Sequence, residues 1–135
     1  MNGAALAQAA AALVGTRFRL HGRDPQSGLD CIGLLGAAMT KIGRTLSLPS
    51  GYPLRISNLH LWLPDPVCCG FAPVDGPASS GDVVLLVPGP AQFHLAIAGP
   101  GSGWIHAHAG LRRVVCQPQI PEGRILHHWR LRPQS

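Results

Sequence analysis

The chain has 135 residues, 46% of them hydrophobic, enough for one domain with its own core and too few for two. Eleven Lys and Arg against six Asp and Glu give a formal charge of +5, which suits an anionic partner, and seven histidines add positive charge as pH falls. The basic residues are scattered and no RNA-binding aromatic motif is present, so no nucleic-acid partner is expected; no apolar run is long enough for membrane insertion.

Residues 4–14 read as a helix of alanines and leucines ended by Gly15, with Leu6, Ala9, Ala10, Leu13 and Val14 on its inner side. This opening lacks the basic start and leucine-rich centre of a signal peptide, so synthesis in the cytoplasm without a secretory leader is expected. Residues 15–22 read as extended, and residues 23–27 as a polar loop containing Pro25.

The loop leads into Gly28-Leu29-Asp30-Cys31-Ile32-Gly33-Leu34-Leu35. Ile32, Leu34, Leu35, Ala38, Met39 and Ile42 recur at helical spacing, Asp30 sits where an N-cap belongs, and the helix should end about Gly43. Cys31 then lies at a helix start, where unpaired N–H groups and the helix dipole favour a thiolate and make it a candidate nucleophile. The local sequence equally suits a small buried hydrophobe, the commoner fate of a free cysteine.

Residues 44–53 read as an irregular connection and residues 56–63 as a short helix with Leu59 and Trp62 inward, closed by Pro64 and Pro66. Turn formers fill residues 69–80. Strands follow at 83–87, 93–98, 104–107, 111–116 and 124–131, together an antiparallel meander of about five strands. Helices first and strands second argue an α+β fold.

The turn at residues 99–103 makes the second and third of these strands neighbours, so that His94 comes near His106 or His108, on the face opposite Ile97 and Ile105. Cys31 as nucleophile, His94 as base and His106 as the group orienting His94 form a coherent catalytic set. Satisfied structural histidines are the competing reading. His106 and His108 with Cys68, Cys69 or Cys116 could ligate zinc, but no Cys-x-x-Cys pair supports it, and no metal or cofactor is expected.

The four cysteines make no convincing disulfide framework, and Cys68, Cys69 and Cys116 read as packing or incidental thiols. His127 and His128 read as a strand end, Asp82 as a turn former, and Trp62 and Trp104 as groove-lining or core aromatics.

In order along the chain, Val14-Gly15-Thr16-Arg17-Phe18, Leu29-Asp30-Cys31-Ile32-Gly33-Leu34, Gly81-Asp82-Val83, His94-Leu95-Ala96-Ile97 and Trp104-Ile105-His106-Ala107 resemble the motifs of the NlpC-type cysteine peptidases. The Asp-Cys-x-Gly-Leu form and the closing His128-Trp129-Arg130-Leu131 look most like the phage and gene-transfer-agent branch. The resemblance implies a single papain-like domain over residues 1–135 with Cys31, His94 and His106 as catalytic residues. It also implies a cysteine endopeptidase that hydrolyses peptidoglycan stem peptides, commonly at the γ-D-glutamyl to diaminopimelate bond.

The partners so implied are the stem peptide and the proteins of a phage or phage-like tail, with action in the host cell envelope. Such enzymes usually carry tyrosine where this chain has Phe18, and phenylalanine cannot donate a hydrogen bond. Arg17, Arg19 or His21 would have to compensate, or the site is slow, or it binds wall peptides without cutting them. Two functional classes follow: an active endopeptidase, and a tail structural or assembly protein that keeps the fold as an interaction module.

Overall fold

The computed structural model describes residues 3–44, 70–90 and 92–132. Alanine-rich α1 (Gly3–Ala11) and α2 (Cys31–Lys41) pack on each other and on one face of an antiparallel sheet. The sheet holds β3 (Phe71–Pro73), β4 (Val83–Val87), β5 (His94–Ala98), β6 (Trp104–His108), β7 (Arg113–Gln117) and β8 (Arg124–Leu131), in the order β3-β8-β4-β5-β6-β7. Leu6, Leu13, Leu34 and Met39 of the helical layer meet Leu85, Leu95, Ile97 and Ile105 of the sheet in the main core. The opposite face carries a smaller cluster, Val84, Leu86 and Ala96, with Trp104 packed against it.

Among the described residues the sheet has six strands, not five, and is not a simple meander. The missed strand, Phe-Ala-Pro, is only three residues long and ends on a proline, which suits an edge alone. β8 lies between β3 and β4, pairing Trp129 with Pro73 on one side and with Val83 on the other. The polar loop at 23–27 is likewise tighter than expected, with β1 (Arg23–Asp24) and β2 (Gly28–Leu29) forming a short antiparallel pair around it.

The first helix stops at Ala11, short of Val14. The chain then turns through Gly15, whose φ of 95° suits glycine. It runs beside β7, with Gly15 N–H donating to Val114 O at 2.8 Å and Phe18 N–H to Arg112 O at 2.9 Å. Pairing with a distant strand thus overrides helix propensity over the last turn. The helix expected at 56–63, most of the connection at 44–53, and Cys68, Cys69 and Trp62 lie outside the described residues.

Candidate active site

Asp30 starts α2 and holds its surroundings. Its Oδ1 accepts the Gly33 N–H at 2.8 Å as an N-cap, and its Oδ2 accepts the His21 N–H, also at 2.8 Å. Arg23 Nη1 lies 3.3 Å from Oδ1. One buried carboxylate therefore ties the loop before the cysteine to the first turn of its helix. A side chain at Gly33 would collide with the Gly22 carbonyl oxygen, which explains why a glycine follows two residues after the cysteine.

Cys31, the first residue of α2, is partly buried. Its sulfur is faced by the backbone N–H groups of Leu95, Ile32 and Cys31 itself. Burial raises the thiol, the Asp30 carboxylate beside it raises it further, and the three N–H groups lower it, leaving it at about 11. The helix start alone does not make a thiolate here: withdrawal from water and the capping carboxylate outweigh the dipole that the sequence points to.

β5 and β6 pair at Ile97↔Ile105 and Ala98↔Trp104, the whole of their ladder. Ile97 and Ile105 sit in the main core, so alternation sets His94 and His106 out of it. That register carried further would set His94 opposite His108; instead His94 Nε2 lies 2.8 Å from His106 Nδ1, with the rings edge-on at 86°. The contact is a diagonal one, of the kind that neighbouring strands allow beyond directly opposite pairs. The thiol lies by the N–H of the peptide that joins His94 to Leu95.

Gln117 on β7 completes the row, with Oε1 2.9 Å from His106 Nε2 and Nε2 donating to the Gln119 carbonyl at 2.9 Å. Burial drives His94 down to about 4, helped by the positive charge that His106 and His108 would carry. His106 is also lowered by burial and by His108, against the upward pull of its bond to Gln117. Both imidazoles are therefore neutral at neutral pH.

The structure thus brings His94 and His106 into direct contact and sets Cys31 beside the His94–Leu95 peptide, with no Cys31–His94 hydrogen bond among the described residues. His108 is occupied elsewhere: its Nδ1 accepts the Leu111 N–H at 3.0 Å. Cys116 is exposed on β7, and no group of three His, Cys, Asp or Glu side chains able to hold a metal is found among the described residues. Phe18 packs against the main core, as Cys31 does.

Sequence reasoning missed Gln117, because a lone glutamine has no motif and its place beside His106 depends on the β6–β7 register, which pairs His106 with Val115. Asp82 is more than the turn former that its sequence position suggests. Asp82 does accept the Ser79 N–H at 2.9 Å, but it is fully buried and also binds Arg130 through both oxygens, at 2.9 and 3.0 Å, and His128 at 2.7 Å. This cluster joins the start of β4 to the end of β8 and assigns His128 a structural duty.

No protein-family model matches the sequence, and no curated protein matches it. Solved structures do. The NlpC/p60 domain of the peptidoglycan hydrolase SagA superposes with a TM-score of 0.60 at 24% identity, over 97% of this chain and 98% of that one. NlpC1 from Trichomonas vaginalis gives 0.68 at 17% identity, over 94% of this chain and 44% of that one. The peptidoglycan hydrolase RipB from Mycobacterium tuberculosis gives 0.59 at 16% identity, over 98% and 65%. The chain is thus similar to these proteins in fold, that of the NlpC/p60 domain, and spans less than half of NlpC1.

Proposed function

We propose that this chain is a cysteine endopeptidase that hydrolyses amide bonds of bacterial peptidoglycan stem peptides, with Cys31 as nucleophile, His94 as base and His106 as its orienting partner. The observation that carries the reading is the placement of the Cys31 thiol beside the His94–Leu95 peptide while His94 is bonded to His106. The fold supports it, since SagA and RipB, with which it is shared, are named peptidoglycan hydrolases. The positive charge of the chain suits a wall polymer rich in carboxylates and phosphates.

The thiol and the imidazole both rest neutral, so the chemistry is general-base attack rather than attack by a standing thiolate. His94 takes the Cys31 proton as sulfur bonds to the amide carbon. The Cys31 N–H is a donor to the tetrahedral oxyanion, a contribution worth about 3 kcal/mol per well-placed group. His94 then returns the proton to the departing amine as the C–N bond breaks. Water, deprotonated by the same imidazole, cleaves the thioester and frees the thiol.

The scissile bond is γ-D-glutamyl to diaminopimelate, and the setting is the tail of a phage or phage-like particle that opens the host wall locally. The motif resemblance to the NlpC-type peptidases supports the bond, and the likeness to their phage and gene-transfer-agent branch supports the setting. Phe18 in place of tyrosine favours the second reading, a tail structural or assembly protein with weak or no activity. Peptide release from diaminopimelate-type sacculi separates the two. The endopeptidase reading expects soluble fragments from the wild type and none from Cys31→Ala, and equal release by both would refute the cysteine mechanism.

A further inference from the structure

We infer that Gln117 is a positioning residue that assigns the protons of both imidazoles, leaving Nδ1 as the basic nitrogen of His94. The starting point is a backbone carbonyl. Gln119 O can only accept, so the nitrogen 2.9 Å away must be the NH2 end of the Gln117 amide. The Gln117 oxygen is then the atom facing His106 Nε2 at 2.9 Å, and it too can only accept. His106 therefore carries its proton on Nε2.

A neutral imidazole has one N–H, so His106 Nδ1 is a lone pair. It faces His94 Nε2 at 2.8 Å, and that nitrogen must therefore donate. The remaining nitrogen of His94, Nδ1, keeps its lone pair. Turning the Gln117 amide over would set its oxygen against a carbonyl oxygen and its NH2 against His106. His106 would then accept at Nε2, donate from Nδ1 and force His94 to accept at Nε2. His94 Nδ1 would carry the proton and have no lone pair for a thiol.

The strand pairing explains why this residue is a glutamine. Gln117 stands opposite Trp104, one step along the same face from the Val115–His106 pair, so it reaches His106 across a diagonal. That reach needs a long side chain with a donor and an acceptor at its tip. His108, the other neighbour of His106 at 5.6 Å between ring centroids, cannot serve, because its Nδ1 is held by the Leu111 N–H. When His94 takes a proton at Nδ1, the lone pair of His106 still accepts from Nε2–H, so the imidazolium is received without rearrangement.

The catalytic consequence rests on the peptidase reading; the proton assignment does not. The test is two-bond proton–nitrogen NMR of the 15N-histidine-labelled full chain at neutral pH, with Cys31 alkylation by iodoacetamide measured in parallel. The wild type should show His94 and His106 both in the Nε2–H form. Gln117→Leu should mix the tautomers and slow Cys31 alkylation by roughly tenfold, the loss of one hydrogen-bonded arrangement. Gln117→Glu, which keeps an oxygen to accept from His106 but loses the donor to the Gln119 carbonyl, should return a proton to His106 Nε2.

His106 protonated on Nδ1 in the wild type would overturn the assignment, and that measurement needs no variant to fold. Unchanged tautomers in folded Gln117→Leu would overturn it equally. Tautomers that follow Gln117 in a chain releasing no wall peptide would uphold the assignment and refute the peptidase reading. Cys31-dependent release with tautomers indifferent to Gln117 would do the reverse.

Discussion

His94 Nε2 and His106 Nδ1 lie 2.8 Å apart across two strands that have already stopped pairing, so this contact belongs to the side chains and not to the ladder. Removing either ring should therefore change the site while sparing the sheet. His94→Ala should lower wall-peptide hydrolysis by roughly 10²–10⁴-fold, the usual share of a positioned general base. His106→Ala should cost less than His94→Ala, and His106→Asn, which keeps an accepting oxygen, less again. Initial rates on sacculi, with circular dichroism as the control for folding, check the order.

The cap residue Asp30 does two jobs that a substitution can separate. Asp30→Asn keeps an oxygen for the Gly33 N–H but removes the charge that pushes the Cys31 thiol up. A thiol held above its ordinary range ionises later as pH rises, so removing one upward cause must shift ionisation to lower pH. The alkylation rate of Cys31 against pH, read by peptide mass spectrometry, should move toward the acid side in this variant. The lost bond to His21 N–H should lower the thermal midpoint at the same time.

Phe18 packs against the core cluster that also contacts Cys31, in the position where the resembling peptidases carry tyrosine. Phe18→Tyr should raise the hydrolysis rate up to about tenfold, the value of one added hydrogen bond to a reacting group. Paired rate measurements on the two proteins decide it. An unchanged rate would mean that Phe18 does not limit the site.

The acid limb of stability should have two windows, the first set by His94 and His106, both lowered by burial, and the second by Asp82. His94 is held near 4 in the folded chain, so the unfolded state takes up protons first and stability falls as pH drops from about 6.5 toward 4. Burial alone would raise Asp82, but Arg130, the Ser79 N–H and His128 more than offset it and hold it below its ordinary 3.8; its contribution persists above that range and is lost as pH falls through the folded value. Asp82→Asn should lower the thermal midpoint at neutral pH and flatten only the more acidic part of the profile. Scanning calorimetry at a series of pH values reads both windows.

Much of this molecule is legible where local chemistry decides. Asp30 before Cys31 marks the cap, apolar residues at helical spacing mark the face of α2, and the runs Val83–Val87 and Arg124–Leu131 mark strands with the bounds that the fold gives them. Phe71–Pro73 is not legible, because three residues with a terminal proline are a strand only when β8 lies alongside. The stop of α1 at Ala11 depends on a bond from Gly15 to Val114, far along the chain.

The same division runs through the site. Cys31, His94 and His106 stand out by type, and the hairpin turn brings the two imidazoles together. The rise of the thiol to about 11 is a matter of burial, which no local pattern encodes. Gln117 is invisible until the register of β7 on β6 is known.

A nucleophilic Cys31 must become acylated by the wall peptide that it cuts. The most direct measurement is intact-mass spectrometry of acid-quenched protein mixed with a diaminopimelate-type stem peptide. A thioester on Cys31 carrying the glutamyl fragment is expected, together with a released fragment bearing a new amine on diaminopimelate, and neither in Cys31→Ala. Cleavage by Cys31→Ala at the wild-type rate, or a folded wild type that forms no adduct and releases no fragment, would contradict it.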